Sequence, residues 1–102
     1  MSYTVRFSTA AEEDVAELLA YLVPRAGERV ARNYVDKLID YCAAFETFPE
    51  RGTAHDEIRK GLRTVGYHRK ATIAFRVEDD AVTIIRVFHG GRNVDLQHVA
   101  FK

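Results

Sequence analysis

With a single cysteine, Cys42, the chain can form no intrachain disulfide, and its sparing use of cysteine points to a reducing, cytoplasmic compartment. Cys42 falls on the apolar stripe of a helix, where a thiol is buried and inert rather than nucleophilic. Serine is scarce too: Ser2 and Ser8 stand beside the first strand, and neither sits in a nucleophile elbow, which excludes serine-based acyl transfer. No apolar run is long enough to cross a bilayer, and MSYTVRF alternates like a strand where a signal peptide needs a continuous apolar stretch. Net charge is absent, with 15 Lys and Arg against 15 Asp and Glu, so no overall field draws the chain onto nucleic acid, and neither membrane association nor direct sequence-specific DNA binding is expected. The four histidines, His55, His68, His89 and His98, are scattered without the HxxxH spacing of a metal site. Gly90-Gly91 follows a strand without a GxGxxG context and reads as a turn, so neither a metal nor a cofactor is expected.

What is present organises around Gly61 to Asn93. At 102 residues the chain suits one domain over residues 1–102, able to bury about two-thirds of its unfolded surface in a two-layer core. Ile73, Phe75 and Val77 alternate with Thr72, Ala74 and Arg76, the period of a half-buried strand. Asp79-Asp80 fits a tight hairpin turn. The following AVTIIRVF is apolar on both faces, with Val82, Ile84 and Phe88 on one and Ala81, Ile85 and Val87 on the other, which predicts an interior strand covered on each side. Cover for the second face must come from the C-terminal segment or from another chain.

Ahead of the sheet, Tyr3, Val5 and Phe7 alternate to give a short strand suited to an edge. Thr9 and Glu12 have the spacing of a capping box, predicting a helix from about Ala10 whose stripe is Ala11, Val15, Leu18, Leu19 and Leu22, closed by Pro24 and Gly27. A second helix is predicted over 28–48, with Ala31, Val35, Leu38, Cys42 and Phe45 as its seam and Tyr34, Tyr41 and Phe48 as a second row. The short link makes the pair an antiparallel hairpin. Pro49 stops it, and ERGTAHDE reads as a polar loop. The order is α+β: N-terminal strand, helical hairpin, then a three-stranded antiparallel sheet with helices on one face.

The chemistry-bearing residues left over are Arg63, Tyr67, His68, Arg69, Lys70, Arg86, His89 and Arg92, on neighbouring strands or at their ends. No acid lies between Glu57 and Glu78, while Arg59, Lys60, Arg63, Arg69, Lys70 and Arg76 crowd that stretch. Arginines can hold a phosphate while a histidine moves a proton, the composition of a metal-independent ribonuclease. Solvated charge guarding a sheet edge is the alternative.

The acid-rich helix opening STAAEEDVAELLAYL, the FP-x-RG helix end at Phe48, Pro49, Arg51 and Gly52, the GLR at Gly61 to Arg63, and IIRVFHGGRN at Ile84 to Asn93 together resemble the RelE/ParE superfamily of toxins from type II toxin–antitoxin systems. The resemblance implies that superfamily's fold and a toxin neutralised by an antitoxin in a heteromeric complex. RelE-type members are ribosome-dependent mRNA endoribonucleases; ParE-type members inhibit DNA gyrase and are held by a ParD-like antitoxin. The tail NVDLQHVAFK lacks a tyrosine, and Thr72 stands where a RelE-type nuclease carries arginine, which favours the ParE branch. On that branch no catalytic residues are expected; on the RelE branch Arg63, Arg69, His89 and Arg92 would be the set. A binding module without toxicity is the third reading. The resemblance further implies antitoxin contacts at Tyr34, Leu38, Tyr41, Phe45, Phe48, Ile85 and Val87, and target contacts at Arg92, Leu96, His98 and Phe101.

Overall fold

Hydrophobic alternation and turn chemistry produce the element order strand, two helices, then strands. In the computed structural model, which describes residues 2–68, 70–89 and 96, these are β1 (Thr4–Phe7), α1 (Thr9–Ala26), α2 (Glu28–Ala43), a 3₁₀ turn (Ala44–Glu46), β2 (Thr53–Ala54), β3 (Leu62–Tyr67), β4 (Ala71–Glu78) and β5 (Ala81–His89). The strands form one mixed sheet in the order β1-β5-β4-β3-β2. β1 lies at the edge, as its length predicts, and pairs parallel with β5 from Thr4 opposite Ala81 to Phe7 opposite Ile84. The other pairings are antiparallel. Two-residue β2 was not foreseen; it lies in the stretch read as a polar loop.

The helices pack on one face of the sheet around Leu18, Leu38, Phe45, Ile73, Phe75 and Val87. The opposite face carries a smaller core of Leu62, Ala74, Ile85 and Phe88, closed by Ile58 and by Leu96 from the C-terminal segment. The strand's apolar second face is therefore covered, in part, by the chain's own tail.

Strict alternation predicts Phe88 with Ile84 and Val87 with Ile85, and the structure reverses this. The β4–β5 register slips, Ala74 facing Arg86 but Phe75 facing Ile84, which leaves Ile85 as the extra residue of a bulge. One extra residue inverts parity downstream. Val87 consequently joins the helix-side core, and Phe88 the opposite one.

Three helix boundaries also move. The α1 N-cap is Ser8 rather than Thr9: the Ala11 N–H donates to Ser8 Oγ at 3.0 Å. Proline does not end α1, which runs through Pro24 to Ala26, so the link to α2 is Gly27 alone, at φ 91° and ψ 156°. A proline near a helix end forfeits only one backbone donor, whereas this positive φ suits glycine. Finally, α2 stops at Ala43, where the chain tightens into the 3₁₀ turn Ala44–Glu46, short of the expected end at Phe48.

Cys42 is fully buried on α2, and burial pushes its thiol up to about 12 from an ordinary 9.0. A thiol-specific chromogenic reagent at pH 8 should leave the native protein unlabelled and titrate one thiol after unfolding in urea. Because the folded state favours the neutral thiol, this contribution to stability is complete below about pH 9 and is lost as pH rises from there toward 12. Burial likewise raises the Tyr34 and Tyr67 hydroxyls above their usual 10.0, so urea midpoints measured from pH 8 upward should fall through that alkaline window.

Candidate functional site

β1 is shorter than β5 and ends opposite Ile84, so that among the described residues the outer edge of β5 has no strand partner from Ile85 onward. The start of α1 takes over that edge. The Ser8 N–H donates to the Ile84 carbonyl at 2.9 Å, and the Ser8 hydroxyl donates to the Ile85 carbonyl at 2.8 Å. Two turns on, Asp14 is only 3 % exposed. Its Oδ2 accepts from the Val87 N–H at 2.9 Å and from Arg86 Nε at 2.6 Å, while Oδ1 accepts from Arg86 Nη2 at 3.0 Å. This hydrogen bonding raises the Arg86 guanidinium above its ordinary value, against the opposing cost of its partial burial. In sequence, Asp14 looks like one more helix-opening acid after Glu12 and Glu13. Its position one turn before Leu18 on the buried stripe was the available signal.

Of the residues that a ribonuclease reading would gather, the two that are described, Arg63 and His89, stand on different strands with β4 between them. Arg63 pairs with Phe75 and, through it, Ile84, whereas His89 pairs with Ala71 and so with Tyr67. Two strands across and four residues along, the Cα atoms of Arg63 and His89 stand roughly 16 Å apart. Arg63 Nε donates to the Arg51 carbonyl at 3.0 Å, a structural tie. His89 is 9 % exposed, its ring 5.2 Å from that of Tyr21, and its buried Nδ1 has no hydrogen-bond partner among the described residues. Arg69 and Arg92 lie outside the described residues, as do His98 and Phe101. Among the described residues no three His, Cys, Asp or Glu side chains converge as metal ligands.

The residues expected to meet an antitoxin divide by burial. Leu38, Phe45 and Val87 are fully buried between helices and sheet, and Ile85 lies under Leu96 on the other side. Their apolar character therefore serves the two cores, and only displacement of core or tail would bring a partner to them. Leu96, singled out as a target contact, is itself packed in the smaller core. Tyr34 and Tyr41 remain half-buried along α2 with rings 5.6 and 5.0 Å from Tyr67, and Phe48 is 64 % exposed. Arg51 spreads its guanidinium 5.2 Å from the Tyr41 ring. Next to this aromatic row is a cleft of about 420 Å³ between α2 and the β3–β4 turn.

A model of the ParE toxin of the type II toxin–antitoxin system parDE matches residues 5–94, from β1 through the sheet and into the tail. The chain belongs to this family. As a ParE-family toxin it shares its fold with a chain from the chromosomal ParDE system of P. aeruginosa: TM-score 0.74 at 18% identity, covering 86% of this chain and 96% of that one. A chain of the RelBE2 toxin–antitoxin complex from Mycobacterium tuberculosis is also similar, with TM-score 0.62 and 21% identity over 88% of this chain and all of that one. A search of curated protein sequences returns no significant match. Among the described residues of this ParE-family toxin, no helix is long and apolar enough to cross a membrane.

Proposed function

We propose that this ParE-family toxin inhibits DNA gyrase, acting as a non-enzymatic poison, and that a cognate ParD-like antitoxin neutralises it in a heteromeric complex. The observation that carries the reading is the ParE match across residues 5–94. The environments of Arg63 and His89 support it further, since Arg63 Nε is engaged by the Arg51 carbonyl and His89 is nearly buried, where work on a phosphodiester needs both groups presented to one substrate. Antitoxin contact falls to side chains the fold leaves accessible, Tyr34, Tyr41 and Phe48, an aromatic row suited to the apolar face of a partner helix. Target contact falls to the C-terminal segment.

Purified toxin incubated with gyrase and supercoiled plasmid should accumulate gyrase-dependent DNA breaks, and induction in cells should give filaments with a DNA-damage response. No effect on gyrase, together with an immediate arrest of translation that His89→Ala abolishes, would replace this reading with the ribosome-dependent endoribonuclease.

A further inference from the structure

The cleft between α2 and the β3–β4 turn is lined by Asn33, Tyr34 and Lys37 from the helix and by Tyr67, His68 and Lys70 from the sheet side. Every polar side chain on that wall carries a hydrogen-bond donor, and none is acidic. The buried Tyr34 hydroxyl oxygen has no hydrogen-bond partner among the described residues, a desolvated O–H that an incoming acceptor would satisfy. Val30, 55 % exposed, and the two tyrosine rings make the rest of the lining apolar. Beside it β3 runs on past β2, whose pairing stops at Thr64, so among the described residues the outer edge from Val65 to Tyr67 carries no strand.

We propose that this cleft receives one carboxylate side chain of an extended antitoxin segment, held by Lys37, Lys70 and His68 with the Tyr34 hydroxyl donating a hydrogen bond. The inference rests on the antitoxin reading above. A carboxylate on an aliphatic stem matches both halves of the lining: the stem lies against Val30 and Tyr67 while the charge meets the donors. A nucleic-acid backbone fits less well. It carries a run of phosphates past Asp36 and Asp40 on α2, where a single carboxylate brings one charge to the two lysines, and the chain has no net charge to offset the repulsion.

Lys37 and Lys70 are exposed, so Lys37→Glu/Lys70→Glu should fold normally, which circular dichroism checks directly. Titrated by calorimetry with the antitoxin encoded beside this chain, the double variant should bind roughly a hundredfold more weakly than the unmodified toxin, whose own affinity should fall with added salt. Lys37→Arg/Lys70→Arg should bind like the unmodified toxin. Amide shifts in the unmodified complex should include Tyr67, His68 and Lys70. Unchanged affinity in the charge-reversed variant overturns the inference while the antitoxin reading stands. The same holds if that variant binds antitoxin normally yet no longer poisons gyrase, or if a labelled oligoribonucleotide shifts those amides and antitoxin does not. Failure of the unmodified toxin to bind the antitoxin at all sinks the reading beneath and this inference with it.

Discussion

Asp14→Ala should lower the unfolding free energy by about 3–5 kcal/mol, the scale for breaking a buried ion pair from one side. Urea denaturation should show it as a lower midpoint with little change in slope. The size follows from what is stranded. Alanine leaves the Val87 N–H unpaired on a strand edge that β1 does not reach, and it removes both acceptors of the Arg86 fork. Asp14→Asn keeps the shape and one acceptor and should lose less. Arg86→Met strands the other partner: the Asp14 carboxylate, 4% exposed at its side chain, keeps the Val87 N–H but loses its cation, so a loss on the same scale as Asp14→Ala is expected. Losses within about 0.5 kcal/mol for both Asp14→Ala and Arg86→Met would mean that the pair does not hold α1 to β5.

Phe45→Ala should cost about 3–5 kcal/mol, the range for deleting a buried aromatic ring whose site cannot collapse. Phe45 is fully buried, its ring 4.6 Å from Phe75 on β4 and 5.6 Å from Tyr41 on α2, and it sits where the chain leaves α2. Phe48→Ala, three residues later and largely exposed, should stay within about 0.5 kcal/mol. Thermal unfolding of the two variants side by side tests the division between core and docking surface: equal stabilities would put Phe45 outside the core. The same pair separates the two ways of losing antitoxin binding, since Phe45→Ala would act through stability and Phe48→Ala at the surface.

Both helices, the edge strand, the Asp79-Asp80 hairpin and the two-faced nature of β5 were legible because each is written in local periodicity or turn chemistry. The residues misplaced by sequence reasoning depend on partners distant in the chain. Ser8 displaces Thr9 as N-cap because its backbone and side chain are also tied to β5, more than 70 residues on. Asp14 hides among helix-opening acids, and only the docking of α1 onto β5 shows that its carboxylate replaces a missing strand. Leu38 and Phe45 carry the same apolar signature whether they face a partner or a core, and periodicity cannot tell these apart. Arg63 and His89 seemed neighbours because they lie near strand ends, but β4 stands between them.

The bulge at Ile85 makes β5 a strand that counts. Its first half and its second half address opposite interiors, and the switch is a single residue wide. Exchanging one aliphatic side chain for another there keeps each half facing its own core. Losing or gaining a residue between Ile84 and Val87 would instead turn the last stretch inside out, sending Val87 away from the helices and Phe88 toward them. For this segment, length constrains the fold before identity does.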